Sequence, residues 1–272
     1  MDHYAVFGNP ISQSKSPLIH TLFAAQTEQA LDYIRIEPPV NGFEAAISHF
    51  FSQGGSGANV TAPFKIAAFE FANERSTRAT IAGAVNTLQL RKDGSVFGDN
   101  TDGPGLVKDL LRLAIPLNNK RILILGAGGA ARGVLQPLME QKPATLMIAN
   151  RTPSKAAQLA SLIQNANLQS CGFDDLQSND ACFDLIINST SASLSAELPA
   201  VSSDIIAAAS FVYDMSYADR PTVFMQHASN LGVKHVYDGL GMLVGQAAES
   251  FYVWRGVRPS VDPVIHKLRE AL

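Results

Sequence analysis

Four polar clusters in the first 105 residues carry side chains that could bind and transform a small ligand. They read NPISQSKSP at 9–17, NVTAPFK at 59–65, GAVNT at 83–87 and GDNTDGPG at 98–105. Each cluster lies at or just past the end of a predicted strand, and that is the edge where open α/β sheets bind ligands. Hydroxyl, amide, lysine and aspartate side chains converge there, which suits a small ligand that carries several hydroxyl groups.

Lys65 is the only charged residue at the junction between a predicted strand and a predicted apolar helix. Pro63 cannot donate a ladder hydrogen bond, so the strand ends before it. On local grounds alone, Lys65 is either a surface charge or a group placed against a ligand. Asp102 precedes Gly103 and Pro104 at a predicted helix start, where an aspartate is either an N-cap or a site residue.

A glycine-rich stretch in the middle of the chain has the pattern of a dinucleotide site. The residues GAGGAA at 126–131 fit G-x-G-x-x-A, they follow the apolar run 122–125, and a helical pattern opens at Ala130. In this pattern the first glycine makes a tight turn, the second lets the backbone approach a pyrophosphate, and the helix N-terminus attracts phosphate. The alternative is a tight strand–helix turn that binds no ligand.

The end of the next predicted strand discriminates between the two nicotinamide cofactors. NAD-binding units place an acidic residue there, where it accepts a hydrogen bond from the ribose 2′-hydroxyl. This chain instead has ANRTPSK at 149–155, in which Asn150, Arg151, Thr152 and Lys155 offer donors and positive charge. An anionic 2′-phosphate would be stabilised by these groups, so NADP is expected. On the alternative interpretation, Arg151 is solvated and Thr152 caps the next helix; a capping Thr152 is expected in either case.

These motifs lie on strands and helices that alternate along almost the whole chain. In the first part, strands are predicted at 3–8, 32–36, 57–61, 84–90 and 96–98, and helices at 17–26, 42–53 and 65–73. Farther along, a helix is predicted at 103–113, strands at 122–125, 145–149, 183–188, 211–215 and 234–237, and helices at 153–164, 242–255 and 262–272. Such alternation predicts mostly parallel sheets, and a hairpin turn at 92–95 makes the first sheet mixed.

The predicted fold class is α/β with two domains. Residues 1–113 would form an N-terminal mixed-sheet α/β substrate-binding domain, and residues 119–240 a Rossmann-like, doubly wound NADP-binding domain. The last helices, about 241–272, are expected to pack back on the first domain, because two-domain enzymes often tie both lobes with a crossing element.

The composition excludes several other classes of protein. The 272 residues carry a net charge of −3, 17% of them are charged, and no basic run exceeds two residues, so neither nucleic acid nor a membrane surface is expected as a partner. No apolar stretch has the length of a bilayer span, and the start lacks the pattern of a signal peptide. Cys171 and Cys182 favour a reducing compartment, so the cytoplasm is expected. The six histidines show no metal-ligand spacing, and no metal is expected.

The chain resembles the shikimate dehydrogenase family over nearly its whole length. Seven motifs occur in the order that is typical of that family: SKSP at 14–17, NVTAPFK at 59–65, AGAVNT at 82–87, GDNTDG at 98–103, GAGGA at 126–130, NRT at 150–152 and GMLVGQA at 241–247. The resemblance implies reversible NADP-linked oxidation of shikimate to 3-dehydroshikimate, in the biosynthesis of chorismate and the aromatic amino acids.

The resemblance also implies a role for individual residues. Lys65 and Asp102 would be the catalytic pair. The substrate would be held by Ser14, Ser16 and Tyr217 at its carboxylate and by Thr61, Asn86 and Gln246 at its hydroxyls. The cofactor would be held by Gly126, Ala127, Gly128, Gly129, Ala130, Asn150, Arg151, Thr152 and Lys155, with Met215 and Gly239 near the nicotinamide. The chain departs from the usual pattern at Gln13, Ala62, Pro104 and the polar run NSTSAS at 188–193.

Several alternatives stay open at this point. A paralogue within the family could also accept quinate or prefer NAD, and a non-catalytic nucleotide sensor would keep the glycine loop with no need for Lys65 and Asp102. A different two-domain dehydrogenase, acting on an amino acid or a folate, is a third alternative. Lys65 would either transfer the proton or stabilise the developing oxyanion. The oligomeric state is expected to be a monomer or a homodimer.

Overall fold

The chain packs as two units in the computed structural model, which describes residues 1–176, 182–190, 192 and 197–272. Unit 1 comprises Met1–Gly105 and Leu243–Glu270, and unit 2 comprises Leu106–Met242 with the last two residues. The boundary expected at 113–119 lies inside unit 2. Unit 1 ends at Gly105 and unit 2 begins at Leu106, which is earlier in the chain. This point lies inside the continuous helix Asp102–Arg112, so no linker marks it in the sequence.

Unit 1 contains a mixed six-stranded sheet, as the hairpin signal predicted. Its strands are β1 Asp2–Phe7, β2 Leu31–Ile36, β3 Gly55–Val60, β4 Glu74–Arg75, β5 Thr87–Leu90 and β6 Val96–Asp99. The order across the sheet is β2-β1-β3-β5-β6-β4. Strand β1 pairs in parallel with β2 and β3, whereas β5 is antiparallel to both β3 and β6. The predicted mixed sheet is therefore confirmed.

Helices cover both faces of this sheet. They are α1 Ser16–Gln26, α2 Phe43–Ser52, α3 Lys65–Phe71, α4 Thr77–Ala82, the start of α5 Asp102–Arg112, most of α10 Leu240–Arg255, and α11 Asp262–Glu270. Ala5 and Phe7 of β1 pack in one apolar cluster with α2 and α3, and Tyr4 and Val6 pack in another with Trp254 of α10. A strand buried on both faces must be apolar throughout, which explains the unbroken run at 4–7.

Unit 2 contains a six-stranded parallel sheet. Its strands are β7 Arg121–Leu125, β8 Thr145–Asn150, β9 Leu168–Gly172, β10 Leu185–Asn188, β11 Phe211–Asp214 and β12 His235–Tyr237, and its helices include α6 Gly129–Glu140, α7 Pro153–Ala160, α8 Ser203–Ala207 and α9 Val223–Asn230. The order is β12-β11-β10-β7-β8-β9, and the strand pairs are parallel. The sheet is doubly wound, as predicted, and its switch point lies between β7 and β10.

The core of unit 2 is built around β7, which, like β1, is buried on both faces and is apolar. Ile122 and Ile124 pack on one side with α6, and Leu123 and Leu125 pack on the other with α8 and α9. All four side chains are fully buried. The glycine loop therefore leaves the sheet from a strand that is buried on both faces.

Within 1–176, 182–190, 192 and 197–272, no helix is both long and apolar enough to span a bilayer. In the same ranges, no three or more His, Cys, Asp or Glu side chains come together as a possible metal site.

Candidate functional site

Lys65 and Asp102 are brought together at one edge of the unit 1 sheet. Lys65 is the first residue of α3, just after the turn that ends β3, and Asp102 is the first residue of α5. Lys65 Nζ lies 2.6 Å from Asp102 Oδ2. The lysine side chain is 33% exposed and the aspartate side chain 13% exposed. The pair is thus largely screened from bulk water, and the lysine stays partly accessible.

The carboxylate of Asp102 is held by a second donor. Asn86 Nδ2 donates to Asp102 Oδ1 over 2.8 Å, so each carboxylate oxygen has its own partner. The N-cap interpretation of Asp102 is therefore wrong. The helix instead begins with the Thr101 carbonyl, which accepts from the Gly105 N–H over 3.0 Å. Both oxygens of Asp102 are used to orient side chains.

Asn86 is oriented by the protein itself. Its Oδ1 accepts from the Thr101 N–H and from Thr87 Oγ1, each over 2.9 Å. Because a backbone N–H can only donate, this contact identifies the amide oxygen, and the amide nitrogen must face Asp102. One N–H of that nitrogen has no partner within the described residues, so it is available to a ligand hydroxyl.

Ser14 and Ser16 lie in the loop before α1. Ser14 Oγ is 3.2 Å from Ser16 Oγ, and the Arg35 guanidinium donates two hydrogen bonds to the Ser14 carbonyl. Helix α1 has no side-chain cap at its N-terminus, where Lys15 is the N-cap residue. The Ser16 N–H donates to Ser14 Oγ over 3.3 Å and Pro17 has no N–H, so the two hydroxyls are the groups that this loop offers to a carboxylate.

Thr61 and Gln246 complete the predicted substrate residues of unit 1. The Thr61 hydroxyl has no hydrogen bond in the part of the chain that the structure describes, and its methyl group leaves no room for a side chain at Gly8. Gln246 Nε2 donates to the Leu243 carbonyl over 2.9 Å. A Cβ at Gly105 would lie 2.5 Å from the Gln246 backbone nitrogen, so a glycine is required for α5 and α10 to approach here.

Tyr217, Met215 and Gly239 belong to unit 2. Tyr217 is half-buried beyond the end of β11, and burial raises the pKa of its phenol above the ordinary value. The Gly239 N–H donates to the Ser216 carbonyl over 3.0 Å, and a Cβ at Gly239 would collide with the Met215 carbonyl. Met215 and Gly239 are thus neighbours, as a shared role near one ligand requires.

The glycine loop has the geometry that a pyrophosphate needs. Gly126 has φ +103, and a Cβ there would lie 2.9 Å from Ser189 Oγ. A Cβ at Gly128 or Gly129, by contrast, would meet open space, and α6 begins at Gly129 without a side-chain cap. The loop thus offers an open cradle and free helix N–H groups, and it fits the diphosphate of a dinucleotide.

The residues after β8 fit the 2′-phosphate of NADP. Asn150 is tied to the glycine loop, because its Oδ1 accepts from the Ala127 N–H over 3.3 Å. Arg151 and Lys155 are exposed, and neither has an ion-pair partner among the described residues. Thr152 is the N-cap residue of α7, but its side chain makes no capping hydrogen bond, so the expected capping bond is absent. Its hydroxyl and the two cationic side chains are available to a phosphate.

Other residues that are relevant to the site were not singled out from the sequence. Asn59, Thr87, Thr101 and Ser250 form buried hydrogen bonds beneath Asn86. The first three lie inside the quoted motifs, which was a usable signal, whereas Ser250 had only its place one helical turn after Gln246. Residues 191 and 193 of the polar run 188–193 lie outside the described residues. Within that run, Ser189 Oγ donates to the Leu125 carbonyl over 2.7 Å and so supports the glycine turn.

The comparisons with known proteins cover the whole chain. Family models match at residues 6–88 (shikimate dehydrogenase substrate binding domain), 108–209 (shikimate / quinate 5-dehydrogenase) and 239–269 (shikimate 5′-dehydrogenase C-terminal domain). A relative from Vibrio atlanticus named shikimate dehydrogenase (NADP(+)) is 55% identical over 273 residues, which is 100% of this chain and 98% of the relative.

Two solved structures have the same fold. An Ael1 enzyme from Pseudomonas putida is 45% identical with a TM-score of 0.95, and the match covers 98% of each chain. Shikimate 5-dehydrogenase from Thermus thermophilus, solved in complex with NADP(H) and shikimate, is 29% identical with a TM-score of 0.87 and 100% coverage of each chain. The similarity therefore extends over both units, in sequence and in fold.

Proposed function

This chain belongs to the shikimate dehydrogenase family, and from that premise we propose that Lys65 and Asp102 are the catalytic pair of its reaction. The reaction is the reversible, NADP(H)-linked reduction of 3-dehydroshikimate to shikimate in aromatic amino acid biosynthesis, and the enzyme is an oxidoreductase. The expected NADP cofactor is confirmed by the names of these relatives. Unit 1 would bind the substrate and unit 2 the cofactor.

The observation that carries this proposal is the 2.6 Å contact between Lys65 Nζ and Asp102 Oδ2 at a ligand-binding sheet edge. NADPH, when bound, supplies a hydride, and its addition to a ketone builds negative charge on the oxygen. An ammonium group beside that oxygen lowers the barrier, and general acid help of this kind contributes about 10² to 10⁴ in rate. Lys65 would give a proton to the oxygen in reduction and take it back in oxidation.

Asp102 would hold the lysine in place. Its Oδ2 accepts from Lys65 while its Oδ1 accepts from Asn86, so Asn86 fixes the carboxylate that in turn orients the Lys65 side chain. Fixing a flexible four-carbon side chain before the substrate binds lowers the entropy that is lost in the transition state. The proton would still reside on Lys65, with Asp102 as its orienting partner.

The substrate would be held by groups on the same sheet edge. The hydroxyl groups of Ser14 and Ser16 suit its carboxylate. The ring hydroxyls would bind polar groups that have no other partner among the described residues. These groups are on Thr61 and Gln246, together with one N–H of Asn86. In unit 2, Tyr217 would also bind the carboxylate, and Met215 and Gly239 would lie along the nicotinamide.

Four reactions test this assignment. The purified protein is mixed with shikimate or quinate and with NADP or NAD, and the absorbance of the reduced nicotinamide is followed. Shikimate with NADP is expected to give the highest kcat/KM, at least about tenfold above any other pair, since one buried hydrogen-bonding site discriminates by that factor or more. No turnover of shikimate with either cofactor would contradict the proposal.

A second candidate is a relaxed enzyme that also oxidises quinate. It is favoured by one observation: the family model that matches residues 108–209 is described for both shikimate and quinate. The same four reactions decide between the two, because a relaxed enzyme would show similar kcat/KM values for shikimate and quinate.

We also propose that the protein works in the cytoplasm, as a monomer or a homodimer, without nucleic-acid or membrane partners. Cys171 and Cys182 are both unpaired thiols, which suits a reducing compartment. The large apolar side chains that are exposed, such as Ile66 and Leu111, are scattered along the chain. Light scattering of the purified protein measures the mass, and a trimer or larger assembly would contradict the expected oligomeric state.

A further inference from the structure

A buried hydrogen-bond network lies beneath the catalytic pair in unit 1. It comprises the side chains of Asn59, Thr87, Thr101 and Ser250, and it reaches Asn86. Ser250, Thr87 and Thr101 are completely buried, and Asn59 is 6% exposed. Buried polar side chains are retained when their hydrogen bonds are satisfied, and a satisfied network is rigid. None of these four residues is needed to explain substrate or cofactor binding.

Ser250 is the centre of this network. Its Oγ lies 2.7 Å from Thr87 Oγ1, 2.9 Å from Asn59 Nδ2 and 3.2 Å from Thr101 Oγ1. It also lies 3.1 Å from the carbonyl of Gln246, one turn earlier in α10. A single hydroxyl thus connects α10 to β3, to β5 and to the turn before α5, which are the elements that carry the site.

The direction of the hydrogen bonds follows from the groups that can only donate or only accept. Asn59 Nδ2 faces the Asn86 carbonyl at 3.2 Å, so the amide nitrogen of Asn59 donates to Ser250. Asn86 Oδ1 is identified by the Thr101 N–H, so the Thr87 hydroxyl donates to it over 2.9 Å. The single Ser250 hydrogen has two acceptors, the Gln246 carbonyl at 3.1 Å and the Thr87 oxygen at 2.7 Å. We assign it to the shorter contact, because the Thr87 hydrogen is already donated to Asn86.

The shortest contacts therefore form one directed chain. It runs from Asn59 to Ser250, from Ser250 to Thr87, from Thr87 to Asn86 and from Asn86 to Asp102. Asp102 accepts from Lys65 at its other oxygen. Asn86 is also held by Thr101, but the Thr87 hydroxyl that donates to it is oriented by Ser250. A hydroxyl that does not touch Asp102 thus contributes to the position of its carboxylate.

We infer that Ser250 is a positioning residue, which acts on the reaction through Thr87, Asn86 and Asp102. The inference rests on the proposed catalytic pair. Removal of the hydroxyl leaves the Thr87 oxygen without its donor at 2.7 Å and Asn59 Nδ2 without one of its acceptors. Asn86 Oδ1 keeps its bonds from Thr101, but the Thr87 hydroxyl that also donates to it is no longer fixed. The contact of Asn86 with Asp102 is then held less firmly, and so is the direction of Lys65.

Two variants test the inference, Ser250→Ala and Ser250→Cys. The second keeps a polar group at the same position, but a thiol is only a weak donor. Each is expected to lower kcat on the order of tenfold, the effect of a small misplacement of a catalytic group, with the KM for NADP unchanged. Ser76→Ala is the matched control. Its hydroxyl binds Asp99 at 2.5 Å in the same unit but is outside the chain, so kcat should stay within about twofold.

A double-mutant cycle separates positioning from a merely structural role. In the Asp102→Asn background, Ser250→Ala should lower kcat by less than about twofold, because the group through which it acts is already altered. Equal losses in both backgrounds, or an unchanged kcat in folded Ser250→Ala and Ser250→Cys proteins, would overturn the inference. Near-normal turnover of Asp102→Asn alone would overturn the catalytic pair itself, and the two failures are thus distinguishable.

Discussion

Arg151→Ala should weaken NADP binding far more than NAD binding. The side chain is exposed after β8, it has no ion-pair partner among the described residues, and no carboxylate ends that strand. Its guanidinium is therefore available to the 2′-phosphate, the only part of the cofactor that NAD lacks. Lys155 lies within the first turn of α7 and supplies a second positive charge.

The expected magnitude follows from the exposure of these groups. A charge-assisted hydrogen bond contributes about 1.5–3 kcal/mol, and the lower end applies to an exposed group that is screened by solvent. Because about 1.4 kcal/mol is a factor of ten, the KM for NADP should rise roughly 10- to 30-fold. The KM for NAD should change less than about twofold, because the remaining contacts are shared.

The assay is steady-state kinetics with shikimate at saturation and each cofactor varied in turn. Arg151→Lys is the matched variant: it keeps the charge but loses the planar fork, so its loss should be intermediate. The preference for NADP should also shrink at high ionic strength, because the contact is electrostatic and exposed. Equal losses for both cofactors in Arg151→Ala, or no loss for either, would refute the assignment of the 2′-phosphate site.

Three further predictions concern the loop, the substrate and a buried histidine. Gly126→Ala should destabilise the protein by about 1–2 kcal/mol, because φ is +103 at this position and the added Cβ would meet Ser189. Gly128→Ala should keep the stability of the protein but lower its affinity for NADP, because the Cβ would enter the open cradle of the loop. Calorimetry measures the stability, and titration with NADP measures the affinity. Thr61→Val should lower kcat/KM for shikimate about tenfold with stability unchanged, and an unchanged kcat/KM would remove Thr61 from the site. His20 is fully buried, and burial lowers its pKa to about 3. Only the unfolded state takes up a proton between about pH 6.5 and 3, so this histidine costs no stability above pH 6.5 and about 2 kcal/mol at pH 5. Denaturant unfolding of the protein and of His20→Gln should therefore differ in its dependence on pH across this window, and parallel curves would contradict the prediction.

The strands that could be predicted from the sequence are those with strong apolar patterns. β1 and β7 are buried on both faces, so their residues form unbroken apolar runs. β9, Leu168–Gly172, was missed because it is an edge strand of mostly polar and half-exposed residues. β4 was missed because it has only two residues, both exposed, and local patterns cannot show so short a pairing.

The parts of the site that could be predicted are those that backbone geometry imposes. The backbone at position 126 has a positive φ, which glycine adopts without strain, so the turn is visible in the sequence as a glycine. The contact of Lys65 with Asp102 joins residues 37 positions apart, and local patterns left a surface charge and an N-cap as alternatives; only the resemblance paired them. Ser250 could not be found in this way, because its partners come from three other elements and are adjacent only after folding.

The most direct test of the central claim is the turnover of shikimate and NADP by Lys65→Ala, with Lys92→Ala as the matched control. Lys92 is an exposed lysine in the hairpin turn of the same unit. Lys65→Ala should lower kcat by about 10² or more while the KM for NADP stays the same, and Lys92→Ala should match the unsubstituted protein. Near-normal turnover by a folded Lys65→Ala protein would contradict the claim that this lysine carries the proton in the reaction.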